Sequence, residues 1–246
     1  MKKTRLDQAL VARGLCDSRE LAKRLILAGQ VVVEGIDRPK PGQNVTDDHV
    51  IRVKALPKYV GRGGLKLEGA LDAFGIDPAG KTGLDIGAST GGFTDCLLQR
   101  GAAKMFAFDV GTNQLAWKIR SDERVVSREG FNARYMRIED VENDPVDIIV
   151  IDVSFISLTR ILPAAFSVLK PEGDLVCLIK PQFELRKEQI GKGGIVREPE
   201  LREEAIAKIR EFTTGELAKE WRDLIESPIS GTDGNVEYLA WLKHPE

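Results

Sequence analysis

Cysteine and histidine are scarce in this chain of 246 residues: Cys16, Cys96 and Cys177 stand far apart with no C-x-x-C spacing, and His49 and His244 are the two histidines. That scarcity argues against a disulfide framework, a zinc motif or a histidine-rich metal centre, so no metal is expected. Long apolar runs are missing as well. Spanning a membrane takes roughly 20 apolar residues, whereas the most apolar stretch, Val146 to Val153, is broken by Asp147 and Asp152. With no apolar signal core at the start of the sequence, a cytoplasmic location without membrane contact is expected. Aromatic residues make up 6% of the chain, against 42% hydrophobic and 30% charged, which suits an ordinary globular protein. Composition leaves the oligomeric state open.

Net charge is also small, at −2, but it is unevenly spread. The first 60 residues carry 12 Lys and Arg against 7 Asp and Glu, a net of +5, which leaves −7 for the remainder. A basic module joined to an acidic one is expected where the first part holds a polyanion and the second does the chemistry.

The stretch Thr82 to Asp95, TGLDIGASTGGFTD, organises the larger part. Gly83 to Ile86 reads as a short buried strand, after which Gly87, Gly91 and Gly92 let the backbone turn into a helix near Phe93. A ligand could lie there against bare backbone. Dinucleotide sites carry G-x-G-x-x-G, whereas this run is G-A-S-T-G-G with Asp85 ahead of it. The pattern favours S-adenosylmethionine, whose cationic sulfonium and amino acid group suit a carboxylate rim and bring no pyrophosphate. Asp109 ends the next expected strand, Lys104 to Asp109, where an acid accepts hydrogen bonds from ribose hydroxyls. NAD enzymes place an acid there too, so Asp109 speaks for adenosine in general; its ordinary use, which a strand end at such a crevice disfavours, would be to cap a helix from Asn113.

Taken in order, the chain opens with two short amphipathic helices, the first capped by Thr4 and stopped by Gly14, the second capped by Ser18 and stopped by Gly29. Strands are expected at Gln30 to Val33 and Val50 to Val53. The pieces RLDQAL, SRELAKRLI and GQVVVEG resemble the α+β (α-L) RNA-binding fold of ribosomal protein S4 type and cover most of the first 55 residues. On that resemblance Arg5, Arg19, Lys23 and Arg24 are the expected phosphate contacts. Residues 1–56 form this domain, 57–64 a turn-rich linker and 65–246 the second domain. There a helix is expected at Leu65 to Phe74, then helices at Gln114 to Ile119, Ile156 to Leu169 and Pro199 to Leu217. Further strands fall at Arg124 to Ser127, Asp147 to Asp152 and Asp174 to Lys180. Two extended segments, Ile225 to Pro228 and Val236 to His244, flank a turn at Ser230 to Gly234. Alternating β and α ending in an antiparallel hairpin predicts an α/β, mostly parallel, doubly wound sheet of the class I, Rossmann-like methyltransferase type.

Four residues fall where strands or a helix should open onto one crevice: Lys66, Asp152, Lys180 and Glu237. Three of them also have an ordinary use, Lys66 on a helix surface, Asp152 as a cap ahead of Ser154, Glu237 as a hairpin charge; Lys180, set between an apolar strand and Pro181, is harder to explain so. Together they suit methyl transfer to a hydroxyl, which needs an aligned oxygen and the handling of one proton. A lysine can take that proton when burial or a neighbouring cation lowers its pKa, as Lys66 and Lys180 could do for one another.

The motifs YVGRGGLKLEGAL, LDIGASTGGFTDCLL, FDVG, IDVSFISL, LIKPQFE, GKGGIVR and GNVEYL extend over nearly all of the larger part. By them the chain resembles the FtsJ-like ribose 2′-O-methyltransferases with their K-D-K-E tetrad and, taken whole, the hemolysin-A (TlyA) family of rRNA methyltransferases. The resemblance implies S-adenosylmethionine-dependent 2′-O-methylation of cytidine in ribosomal RNA, on one or both subunits. It makes Lys66, Asp152, Lys180 and Glu237 catalytic, with Lys180 activating or steering the hydroxyl. It assigns Asp85, Gly87, Ser89, Gly91, Gly92 and Asp109 to the cofactor. The basic loop Arg186 to Arg197 could close over RNA or cofactor, and Phe155 and Phe183 could stack a flipped base. Two other classes stay open: a non-catalytic RNA-binding or ribosome-assembly protein, against which an intact tetrad speaks, and a membrane-active hemolysin, for which no apolar span or barrel pattern speaks. A base methyltransferase would need an N-P-P-Y or cysteine nucleophile motif.

Overall fold

The computed structural model describes residues 3–231 and 234–245, which divide into two compact units, one up to Lys58 and one from Tyr59 onward. In the first, strand β1 (Thr4–Arg5) runs into helix α1 (Leu6–Ala12), followed by α2 (Arg19–Leu27), β2 (Val31–Val33), β3 (Asn44–Val45) and β4 (Ile51–Val53). β1 pairs antiparallel with β3, and β2 with β4. Leu6, Leu10, Ala22, Leu25 and Ile26 from the helices close on Val31, Val33, Val45 and Ile51. Ser18 caps α2 as its sequence suggests, its Oγ accepting from Leu21 N at 3.2 Å. Thr4 does not cap α1. It lies opposite Val45 in β1, and the first free amides of α1, Leu6 and Asp7, donate instead to Gln43 and Pro41 carbonyls at 2.7 and 3.1 Å.

The second unit strings α3 (Gly63–Phe74), β5 (Thr82–Ile86), α4 (Gly92–Gln99), β6 (Lys104–Phe108), α5 (Trp117–Arg120) and β7 (Val125–Arg128). It continues with β8 (Val146–Ile151), α6 (Leu162–Phe166), β9 (Leu169–Ile179), α7 (Pro181–Glu184), α8 (Pro199–Glu211), β10 (Glu220–Glu226) and β11 (Tyr238–Lys243). Seven strands form one sheet in the order β10-β11-β9-β8-β5-β6-β7. β5 to β9 run parallel to one another, and β11 runs antiparallel between β9 and β10. The turn expected at 230–234 includes Thr232 and Asp233, which lie outside the described residues.

The central strands are apolar throughout because both faces are covered. Along β8, Ile149 and Ile151 face a core with Leu84, Phe106, Phe108 and Leu162, while Ile148 and Val150 face another with Leu67, Leu71, Cys96 and Leu97. Each such side chain, fully buried, contributes about 1.5–3 kcal/mol of transfer free energy. Strand order reverses at β5, whose neighbours are β6 and β8, and a crevice opens at the carboxyl ends of strands at such a point.

Several expected elements are shorter or differently placed. In place of one helix over 156–169 there is a 3-10 turn, Leu158–Arg160, then α6, and Leu169 already belongs to β9, paired with Val146. The helix expected from Gln114 is confined to α5, because Asp109 and Glu129 carboxylates take the Gly111 and Gln114 amides at 2.6 and 3.1 Å and hold 109–114 as a loop. α8 gives way after Glu211 to a π-turn, Phe212–Glu216, and the strand expected at 225–228 runs from Glu220 to Glu226 at the sheet edge. Among the described residues no helix is long and apolar enough to cross a membrane, and no group of three His, Cys, Asp or Glu side chains is arranged to hold a metal ion.

Candidate active site

The glycine-rich loop after β5 is shaped by what lies close to it. Gly87 has φ +87°, and a β-carbon there would stand 2.4 Å from the Asp152 carbonyl oxygen, so the ends of β5 and β8 approach backbone to backbone. At Gly92 an added β-carbon would lie 3.0 Å from Gly64 N and 3.2 Å from Gly61 O. Its bare backbone therefore faces protein, where a ligand was expected. Gly91 packs in the same way against Leu115 and Ile119.

Asp85 is fully buried at the middle of the sheet. Thr94 donates to its Oδ2 through both the backbone N–H, at 3.0 Å, and the hydroxyl, at 2.6 Å, while Oδ1 has no hydrogen-bond partner. Desolvation pushes this carboxyl up to about 7 against the lowering effect of Thr94, with Asp152 and Asp109 adding to the rise. Asp109 behaves differently. Its Oδ2 accepts from Ser89 N at 2.7 Å and its Oδ1 from Gly111 N at 2.6 Å. It caps no helix at Asn113, which is left-handed with φ +57°. A carboxylate has roughly four acceptor sites, so two amides leave room for a ligand's hydroxyls.

A cavity of about 500 Å³ opens at the carboxyl ends of β5, β6, β7 and β8. Gly87 and Ser89 line it after β5, Asp109 after β6 and Asp152 after β8, whereas Asp85, Gly91 and Gly92 do not. Its apolar wall includes Ile86, Phe108, Phe131 and Ala133, the two rings 4.7 Å apart between centroids. Phe131, Asn132 and Arg134 were not singled out by sequence reasoning. Their one signal was position, since they follow the third parallel strand at the same sheet edge as Gly87 and Asp109.

The four candidate catalytic residues form two ion pairs. Lys66, in the second turn of α3, is 7% exposed and pairs with Glu237, itself 3% exposed. Lys180, the residue after β9, places Nζ 2.7 Å from Asp152 Oδ1 and donates to Ser154 Oγ at 2.9 Å. Register holds them at one edge. Tyr238 lies opposite Ile179, so Glu237 and Lys180 are the next positions on adjoining strands, and a β-carbon at Gly63 would lie 3.8 Å from Asp152 Oδ2. Each ammonium thus has its own carboxylate. Burial of a charge is tolerable on those terms. Beside them Phe155, 90% exposed and held at φ +64°, leans on Phe183 with ring centroids 5.1 Å apart. The basic loop Arg186 to Arg197 is tied down near its end, where Asn235 accepts from Val196 N and donates to Gly194 O, both at 2.9 Å.

In the small unit, Arg5 and Arg19 both grip the fully buried Asp7, at 3.0 and 3.1 Å, while keeping 45% and 50% of their side-chain surface exposed. Lys23 pairs with Glu20 at 2.8 Å, and Arg24 lies on the exposed face of α2.

A seven-stranded sheet with one reversed strand between its last two parallel neighbours defines the class of α/β methyltransferases. Residues 59–244 match the FtsJ-like methyltransferase family and residues 4–51 the S4 domain. The 16S/23S rRNA (cytidine-2′-O)-methyltransferase TlyA of Mycobacterium tuberculosis is 45% identical, over 98% of this chain and 90% of that protein. Hemolysin A of Brachyspira hyodysenteriae is 46% identical, over 96% and 98%. A solved structure of a hemolysin from Streptococcus thermophilus superposes with a TM-score of 0.77 at 44% identity, covering 100% of this chain and 90% of the other. The chain belongs to the TlyA/hemolysin A family of rRNA methyltransferases.

Proposed function

We propose that this protein transfers the methyl group of S-adenosylmethionine to the ribose 2′-hydroxyl of a cytidine in ribosomal RNA, in the cytoplasm. The observation that carries the reading is the double use of Asp152, which lines the cavity and also holds Lys180 at 2.7 Å. The amine is thereby fixed at the cavity's edge, where an acceptor hydroxyl would have to arrive. The reaction specified in the name of the M. tuberculosis relative supports the choice of cytidine.

The cavity residues fit the cofactor. Asp109 would accept from the ribose hydroxyls, Phe131 and its apolar neighbours would receive the base, and Asp152 would offset a positive charge. When bound, S-adenosylmethionine supplies an electrophilic methyl group for in-line displacement by oxygen. A hydroxyl is a weak nucleophile until its proton is removed or polarised. Lys180 Nζ, oriented by Asp152 and Ser154, would hold the hydroxyl as an ammonium donor or, having first given its own proton to solvent, take the hydroxyl's proton as the oxygen attacks, and Asp152 would stabilise the ammonium so formed. Lys66 and Glu237 flank that pair as a neutral buried unit. Arg5, Arg19, Lys23 and Arg24 would engage RNA phosphates, which position the substrate without reading its bases.

The test is transfer of labelled methyl groups from S-adenosylmethionine to unmodified ribosomal subunits and free rRNA, followed by nucleoside analysis. Recovery of 2′-O-methylcytidine is the expected result. Measured cofactor binding with no label in any rRNA would overturn the assignment. Lys180→Ala should bind cofactor and RNA normally while losing transfer, and unchanged turnover would remove Lys180 from the mechanism.

A further inference from the structure

Lys180 leads directly into α7, a helix of four residues, Pro181–Glu184. So short a helix has no stability of its own. What fixes it is the carboxylate of Glu184, 6% exposed and reached by three donors: Ser157 Oγ at 2.5 Å, Leu158 N at 2.8 Å and Lys208 Nζ at 2.9 Å. Lys208 also donates to the Glu184 carbonyl at 2.6 Å. The loop after β8 is thus clamped to the loop after β9, and each loop carries one half of the Lys180–Asp152 pair. Ser154, the other partner of Lys180, sits on the first of these loops.

A carboxylate is expensive to bury, and an apolar residue would hold α7 in place more cheaply. None of Glu184, Ser157 and Lys208 lines the cavity. We infer that Glu184, neutralised by Lys208, is a positioning residue that fixes the Lys180 amine against Asp152 and Ser154, with Ser157 as its contact on the facing loop. This rests on Lys180 being the group that handles the hydroxyl's proton. Directional hydrogen bonds define the relative placement of two loops more sharply than apolar contact does. Methyl transfer is sensitive to such placement, since a 1 Å error costs about 100-fold in rate.

The experiment compares Glu184→Gln and Ser157→Ala with the unaltered enzyme, reading kcat, KM for rRNA and for S-adenosylmethionine, and melting temperature. Glu184→Gln is expected to lower kcat roughly 10- to 100-fold with both KM values within about threefold, because it disturbs an arrangement that matters in the transition state. Ser157→Ala, which keeps the buried ion pair, should lower kcat less and leave both KM values and the melting temperature nearly alone. If kcat is unchanged in a folded Glu184→Gln, or if both variants lose activity only through melting temperature or KM, the positioning role is wrong. Should Glu184→Gln fail to fold, Ser157→Ala decides alone. The outcome for Lys180→Ala separates the two levels: full activity there removes the proposed chemistry, whereas an inactive Lys180→Ala beside a fully active Glu184→Gln removes only this inference.

Discussion

Replacing Asp85 by Asn should make the larger unit more stable above neutral pH, and the structure gives the size of the effect. The carboxyl is fully buried, and burial raises it from 3.8 to about 7. Its stabilising contribution is therefore complete below about 3.8 and is lost as pH rises through about 7, because over that window the folded protein keeps a proton that the unfolded chain has released. At about 1.4 kcal/mol per pH unit across the window, the loss reaches about 4 kcal/mol. The amide of Asn can still accept from Thr94 through its oxygen, but its NH₂ inherits the place of the unpartnered Oδ1, at a cost of about 1–3 kcal/mol. A net gain of about 1–3 kcal/mol at pH 8 remains, worth roughly 2–12 °C in melting temperature for a unit of this size. Calorimetry of the ligand-free protein at pH 5, 6.5 and 8 should show the larger unit's transition falling with pH in the native protein and nearly level in Asp85→Asn. If the variant melts lower at pH 8 and keeps the native slope, Asp85 is not an ionised, poorly satisfied acid, and the account of the β5 loop fails.

Because Asp152 and Asp109 help to raise Asp85, a cation placed between them should release protons near pH 7. Titration calorimetry in buffers of different ionisation enthalpy should find more release for S-adenosylmethionine than for S-adenosylhomocysteine, whose sulfur is uncharged; equal release would count against the cavity as the cofactor site. Gly92→Ala brings a methyl group within 3.0 Å of Gly64 N and should cost about 1–3 kcal/mol, read as a lower melting temperature of the larger unit; an unchanged transition would show that the 61–64 segment yields freely. In the small unit, Arg5's hydrogen bonds, with help from Arg19, hold Asp7 down at about 2. Its contribution to stability is full above about 3.8 and lost as pH falls through about 2. Circular dichroism during acid titration should show that limb flattened in Asp7→Asn, and an identical limb would refute the pairing.

What could be read beforehand follows from how local the determining physics is. The glycine run and the apolar DIIVID stretch announce a parallel sheet because turn chemistry and double-sided burial are written residue by residue. Ile156 to Leu169 misled because apolar residues at helical spacing also suit a 3-10 turn, a short helix and the start of a strand in succession. The strand expected from Asp174 begins already at Leu169 and runs through Pro171 and Gly173. The demand for bare backbone at Gly92 was legible, but composition does not say whether a ligand or the protein's own chain approaches. The four candidate catalytic residues were visible as a set. Which acid takes which amine was not, since β9–β11 register and the seat of α3 decide it. Glu184 had no signal in isolation, because its meaning depends on Ser157 and Lys208, which only the folded chain brings to it.

Strand β11 joins the sheet between β9 and β10, although it is the last of the three in the chain. During synthesis β9 must wait with one side unpaired, eleven residues of mostly buried strand, until residues past 243 have emerged. Such an edge invites pairing with other chains. For the same interval Lys66 lacks the carboxylate that it meets 171 residues later. A buried ammonium without its counter-charge opposes packing of α3, so insertion of β11 seals the exposed edge and completes the candidate catalytic set in a single step. A nascent or clipped chain without that strand should therefore be both adhesive and inert, which ties the moment of competence to the moment of solubility.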